Sequence, residues 1–249
     1  MASVSYLNSK PFIYGLTHHP VKEKIELLEL PPAKIAERLE NGSLDIGLVS
    51  IPVLKTIPTA QIISPTCISC DGKVSSVALF SDTPVNGIQK IFLDYQSRTS
   101  VELCRILAKE FWEISPEFVP AFPGYEEKIN GTAAGVIIGD RALLKEKNYR
   151  FKYDLGECWK KLTGLPFVFA CWISSGLSDP DFVKEFNKAL HLGIQSIDKV
   201  VELEQKNYPG IDISFYLKNN IQFLLNEDKR KAMSLFLDKA GQFKGGDLN

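Results

Sequence analysis

The strand from Val74 to Phe80 arrives with no helix before it, and this break narrows the folds open to the chain. Ahead of it, short apolar runs alternate with helical patterns. Val4 to Leu7 reads as a strand, Phe12 to Thr17 as a helix, and Ile25 to Leu30 as a strand. Ala33 to Glu40 reads as a helix and Asp45 to Val49 as a buried strand. That βαβαβ order predicts a mostly parallel sheet covered by helices. After the break comes a second set. Lys90 to Tyr95 is a strand and Ser100 to Trp112 a helix. Further strands fall at Phe118–Phe122, Val136–Ile138 and Phe151–Leu155, with short helices near Tyr125–Ile129, Ala142–Lys147 and Glu157–Leu162. Phe167 to Ile173 is the last strand. Beyond Asp179-Pro180 the pattern is helical almost to the end, with one long helix from Phe182 to about Lys206.

Two α/β sets joined by strands predict a two-lobed α/β protein with a central cleft and two crossing strands. The chain is expected to cross at Val74–Ser81, return at Phe167–Ser174, and finish on the first lobe. Residues 1–80 and 175–249 then form one lobe and 81–174 the other. A ligand is expected between lobes, near strand ends and helix N-termini, where α/β folds bind. A single doubly wound sheet explains the interrupted rhythm and the helical tail less well.

A length of 249 residues is enough for two lobes with real cores. A formal net charge of -1 argues against nucleic acid or an anionic membrane as the main partner and leaves a small molecule. No apolar run is long enough to span a bilayer, and the start lacks the pattern of a signal peptide, so a cytoplasmic location is expected. Five cysteines are scattered along the chain, two of them in Cys67-x-x-Cys70. No second CxxC or Cys/His pair completes a zinc site, and Ile68 suggests a strand in which the two thiols point to opposite faces. Reduced, half-buried cysteines are expected.

Two polar segments end strands next to helix starts: Ser5-Tyr6-Leu7-Asn8-Ser9-Lys10-Pro11 and Ser97-Arg98-Thr99-Ser100. A helix N-terminus carries unpaired N–H groups and partial positive charge, which suits an anion. Asn8 reads as a helix cap with Pro11 early in the helix, and a capping Asn can also donate its amide to a ligand. Thr99 and Ser100 read as caps. A cap needs one hydroxyl and three are present, so a carboxylate pocket built on Ser97, Thr99 and Ser100 is an equal reading. Asp71-Gly72 makes a turn into a strand that puts Ser75 and Ser76 on opposite faces. Asp140 reads as a cap that can also orient a ligand hydroxyl. Gly164 and Pro166 stop one helix and open the last strand.

The motifs for phosphate loops, dinucleotide loops and HExxH metal sites are all missing. His18 and His19 stand beside Pro20 in a turn, His191 lies in a long helix, and none has the context of a catalytic triad. The residues therefore predict a cleft for a small anion, with no metal and no evident protein base.

Taken together, the segments resemble the chorismate dehydratase family, the first enzymes of the futalosine route to menaquinone. The resemblance rests on Ser5 to Pro11, Gly-x-Val-x-Ser-Val at Gly72–Val77, Ser97 to Ser100, Ile138-Gly139-Asp140-Arg141-Ala142-Leu143, and Thr163-Gly164-Leu165-Pro166-Phe167-Val168-Phe169-Ala170. Lys73 departs from the pattern, standing where a proline is expected. The resemblance implies a fold similar to periplasmic type II solute-binding proteins, a lyase that removes water from chorismate, and no cofactor. It places Asn8, Ser76 and Thr99 at the substrate, with Ser97, Ser100 and Asp140 as further contacts. With that substrate, the missing protein base suggests that the substrate's own enolpyruvyl carboxylate takes the proton, with Asn8 and Ser76 holding it. A non-catalytic carboxylate-binding protein and the later enzyme that makes 1,4-dihydroxy-6-naphthoate are the competing readings. The Tyr-Leu-Asn-x-x-Pro match argues against the second.

Overall fold

The computed structural model describes residues 1–145, 148–176 and 178–241. In chain order the first elements are β1 (Ala2–Val4), α1 (Lys10–His18), β2 (Leu28–Leu30), α2 (Pro32–Glu40), β3 (Ile46–Ser50) and β4 (Gln61–Cys70). Next come β5 (Val77–Ser81), β6 (Lys90–Leu93), α3 (Arg98–Glu110), β7 (Glu117–Pro120), β8 (Ala133–Ile138), α4 (Asp140–Leu144), β9 (Phe151–Asp154) and α5 (Leu155–Thr163). The last are β10 (Phe167–Ser174), α6 (Pro180–Gln195), α7 (Ile197–Glu204), α8 (Ile213–Phe215), β11 (Gln222–Leu224) and α9 (Glu227–Gly241).

The chain forms two compact units. The first is Met1–Ser69 with Val168–Asn226, and the second is Cys70–Phe167 with the chain from Glu227 on. The first holds a six-stranded sheet in the order β11-β4-β10-β3-β1-β2. Its β1 runs parallel to β2 and β3, while β10 is antiparallel to β3. Strands β1 and β3 are buried on both faces, as expected of parallel strands covered by helices. The second unit holds a five-stranded sheet in the order β7-β6-β8-β5-β9. There β6 is parallel to β7 and β8, and β5 runs antiparallel between β8 and β9.

Each unit has its own aromatic core. In the first, Phe12, Trp172, Phe186 and Phe223 meet edge to face, with Trp172 and Phe186 centroids 5.1 Å apart. In the second, Phe167 stands 5.2 Å from both Trp159 and Phe236. Such pairs add about 0.5–1.5 kcal/mol each beyond their buried area. The Trp159 indole N–H donates to the Pro166 carbonyl at 3.0 Å, so its polar edge is satisfied.

Helix α1 buries Phe12, Ile13 and Leu16 and lies along α6. A Cβ on Gly15 would stand 1.9 Å from the Ala189 carbonyl oxygen, and one on Gly193 would stand 1.8 Å from the Pro11 carbonyl oxygen. Only glycine allows the two backbones this approach.

Several expectations are corrected. The Val74–Ser81 strand lies inside the second unit's sheet, because β5 pairs with both β8 and β9; the chain passes between units at 69/70 and 167/168. It passes a third time at 226/227, so the tail does not finish on the first unit. Helix α9 belongs to the second because Phe236 packs on Trp159 and Phe167, and Lys239 pairs with Glu110. The long helix expected to about Lys206 is two helices that meet at Ser196. The helix expected at Ala142–Lys147 is α4, with residues 146 and 147 outside the described ones. Among the described residues, no helix is long and apolar enough to cross a membrane.

The cysteines are all free and buried rather than half-buried. Burial pushes the Cys104 and Cys158 thiols up to about 12, and Cys70 well above its ordinary range. The thiolate is the reactive form. Native protein at about pH 8 should therefore release no thionitrobenzoate from a disulfide reagent within minutes, and release it fully in guanidinium. Fast labelling of any native thiol would contradict this.

Candidate functional site

Asn8 lies where β1 gives way to α1. A 3-10 turn spans Leu7–Ser9, and α1 begins at Lys10. The turn is secured by Ser9, not Asn8. The fully buried Ser9 hydroxyl donates to the carbonyls of Val4 and Tyr6, the latter at 2.8 Å. Ser9 is also the residue before the helix, and no side chain caps it. The cap expected of Asn8 is therefore not made. Among the described residues its half-buried carboxamide has no hydrogen bond, which leaves both ends of the amide open to a ligand.

The other candidates sit in the second unit, and its sheet register brings them to one edge. Strands β6 and β8 run parallel, with Ile91 beside Ala134 and Phe92 beside Gly135, so both deliver their C-terminal ends to the same side. From β6 the chain continues through Asp94 to Ser97 and into α3. From β8 it continues through Gly139 to Asp140. Strand β5 is antiparallel to β8 and pairs Val77 with Ile138, so Ser76 enters at that edge too. The carboxyl ends of parallel strands are where α/β sheets commonly hold ligands.

At α3 the N-cap is Ser97, not Thr99 or Ser100. The Ser97 Oγ accepts the Ser100 backbone N–H at 3.1 Å and donates to the Ser100 hydroxyl at 3.0 Å. Two of the three hydroxyls thus serve the helix terminus. Thr99, in the first turn, is buried with them. Asp140 is not the cap of α4 either. Gly139 precedes it with φ of 62°, and Asp140 is the first helical residue.

Ser76 is fully buried and begins no alternating strand with Ser75. Ser75 has a left-handed backbone with φ of 65°, and β5 starts only at Val77. Opposite-face placement of the two serines therefore does not apply. The Ser76 carbonyl accepts the Gly139 N–H at 2.8 Å, tying the β5 entry to the α4 entry.

A polar network that no local pattern announces braces this edge. Buried Asp94 accepts the Tyr125 hydroxyl at 2.9 Å, the Gln96 N–H at 2.8 Å and the Arg141 guanidinium. Arg141 also donates to Gln96 at 3.1 Å and to Glu126 at 2.8 Å, and lies over the Tyr95 ring. The network thus links the loop before α3 to the first turn of α4. Burial raises Asp94 above its usual carboxylate value, with Arg141, the Gln96 N–H and Tyr125 opposing the rise. Burial pulls Arg141 down, and Asp94, Tyr125, Glu126 and Tyr95 together outweigh it, so the guanidinium stays charged. Asp94 and Arg141 are far apart in sequence, and neither is flanked by a spacing that reveals the pair.

The first unit also has a cavity of about 590 Å³, at the opposite ends of β1 and β3 from Asn8, bordered by Met1, Arg38, Asp45 and Asp179. None of the candidate residues lines it. Among the described residues no three His, Cys, Asp or Glu side chains are placed to hold a metal ion.

Residues 1–242 match a family model described as menaquinone biosynthesis. The chain is 26% identical over 270 residues to a chorismate dehydratase of Thermus thermophilus, covering 93% of this chain and 96% of that one. Among solved structures, a protein of Archaeoglobus fulgidus matches with a TM-score of 0.73 at 14% identity, over 98% of this chain and 97% of that one. A Candida albicans protein, described as having the generic periplasmic binding protein fold, matches with a TM-score of 0.71 at 15% identity, over 99% and 90% of the two chains. The alkanesulfonate-binding protein of Xanthomonas axonopodis, bound to MOPS, matches at 0.62 and 15% identity, over 96% and 91%. The fold is thus periplasmic-binding-protein-like, and the chain belongs to the menaquinone biosynthesis family.

Proposed function

We propose that the protein is a chorismate dehydratase, a carbon–oxygen lyase that converts chorismate to 3-[(1-carboxyvinyl)oxy]benzoate and water in the futalosine route to menaquinone. The observation that carries this is a set of neutral donors at strand ends and a helix N-terminus, in a chain that aligns over nearly its whole length with an enzyme of that name. Chorismate bears two carboxylates, and uncharged hydroxyls, an amide and backbone N–H groups suit them.

Loss of the C3 proton leaves a carbanion delocalised through the ring diene into the ring carboxylate. The C4 hydroxyl then departs and the ring becomes aromatic. Aromatisation makes the reaction downhill, so the protein's task is to orient the substrate and stabilise developing charge. The substrate's enolpyruvyl carboxylate is the proton acceptor in this scheme. Asn8 and Ser76 are the proposed catalytic residues, acting on that carboxylate as hydrogen-bond donors. Ser97, Thr99, Ser100 and Asp140 are the proposed substrate-binding residues. No cofactor enters the scheme, and the location proposed is cytoplasmic.

The test is direct. Pure protein incubated with chorismate should yield a benzoate product 18 mass units lighter than the substrate by loss of one water, with the diene absorbance lost. Binding of chorismate without any product would favour a carboxylate-binding protein. Absence of both binding and product would remove the proposal.

A further inference from the structure

We propose that Asp154 is a positioning residue for Ser76, holding the chain at Val74 and Ser75 in the left-handed turn that sets where Ser76 stands; this rests on Ser76 acting on the substrate. The starting observation is backbone strain. Ser75 has φ of 65° without being glycine. Such a conformation persists only where the surroundings over-determine it, and it concentrates at functional sites.

The surroundings here are one carboxylate. Asp154 Oδ2 accepts the Ser75 N–H at 2.6 Å, and both oxygens accept the Val74 N–H at 3.1 Å. Two further bonds finish the turn: the Ser76 N–H donates to the Val74 carbonyl, and Gly139 N–H donates to the Ser76 carbonyl, both at 2.8 Å. Asp154 reaches the turn because β9 pairs with β5, with Asp154 opposite Ala78. The next turn of chain presses on the same segment. A Cβ on Gly156 would stand 2.5 Å from Cys70 Sγ and 2.7 Å from the Gly72 carbonyl oxygen.

A purely structural account makes Asp154 the cap of α5, since Oδ1 also accepts the Glu157 N–H at 3.0 Å. A cap uses one oxygen. The second oxygen goes to Ser75, and that bond is the shortest of the set. Asn caps helices as well as Asp does. Asp154→Asn can therefore keep Oδ1 on Glu157 while placing an amide NH2, a donor, against the Ser75 N–H. Ser75→Gly acts from the other side, because glycine adopts the left-handed turn without help.

The experiment compares Ser76→Ala, Asp154→Asn, Ser75→Gly and the double variant Asp154→Asn/Ser75→Gly. It uses chorismate turnover, melting temperature, and amide hydrogen exchange over residues 74–76. Asp154→Asn should lower kcat/KM by about ten- to a hundredfold, the range expected of a displaced functional group, with faster exchange at residues 74–76. The double variant should recover most of that loss, which a role confined to capping α5 cannot produce. Full turnover in Asp154→Asn, or a loss that Ser75→Gly does not relieve, overturns the inference and leaves Ser76 in place. Normal turnover in Ser76→Ala overturns the reading of Ser76, and the inference with it.

Discussion

Asn8→Asp is expected to cut chorismate turnover at least about a hundredfold while the protein stays folded, since a charged-acceptor hydrogen bond alone contributes about 1.5–3 kcal/mol. Two carboxylates about 4 Å apart add repulsion of up to roughly 4 kcal/mol at an effective dielectric near 20, and each 1.4 kcal/mol is tenfold. Stability should hardly move, because Ser9 rather than Asn8 secures the turn before α1. The measurements are turnover by product chromatography and melting by calorimetry. Turnover near normal would remove Asn8 from the mechanism. A steep fall in melting temperature with turnover per folded molecule intact would return Asn8 to a structural role. A companion variant addresses the proton acceptor: Asp140→Asn should weaken binding yet still turn over. If turnover vanishes with binding intact, Asp140 is the base and the substrate carboxylate is not.

The second large effect concerns stability. Gly193→Ala is expected to destabilise the first unit by about 2–4 kcal/mol, at or beyond the upper end of ordinary overpacking costs. Alanine is the better helix former by about 0.5–1 kcal/mol, so propensity alone predicts a gain. The contact decides the sign. A methyl 1.8 Å from the Pro11 carbonyl oxygen cannot be relieved by a side-chain rotation, because the obstacle is backbone. Helices α1 and α6 must separate, loosening the packing of Phe12, Leu16, Phe186 and Leu190. Urea melts followed by tryptophan fluorescence read this through Trp172, which packs against Phe12 and Phe186. A variant as stable as the parent would show that the helices have slack.

Much of the architecture was legible because hydrophobic period and turn residues agree locally. Pro11 marks the start of α1, Asn41-Gly42 the end of α2, and apolar runs mark β3, β5 and β10. Strand β4 was only hinted at by Ile68. It carries Pro65 at its middle and buries Ser64, Thr66 and Ser69, so neither propensity nor alternation flags it. Its polar groups are satisfied by distant chain: Ser69 donates to the Gln222 carbonyl, and the Pro65 carbonyl accepts from Leu225. The break at Ser196 has no Pro to announce it, and Gly193, one turn earlier, reads as an isolated glycine within a helix. At the candidate site, the sequence marked the segments but misassigned the caps, since Ser, Thr and Asn at neighbouring positions all suit a helix start. The braces behind those segments, Asp94 with Arg141 and Asp154 with Ser75, join residues far apart in sequence and leave no local trace.

The three passages of the chain between units bear on how a ribosome delivers this protein. The first unit cannot complete its sheet when Ser50 emerges, because β3 waits for Ala170 of β10, and β4 waits for Gln222 of β11. The inserted second unit is no better placed, since Phe236 of α9, which closes its aromatic core, is made after all of that unit's strands and after the whole of the first unit. Both cores therefore wait for segments made long after their first strands, and long stretches of apolar chain stay open meanwhile. Synthesis of this chain should lean on nascent-chain chaperones. Nonsense products lacking α9 should aggregate rather than accumulate as half-molecules.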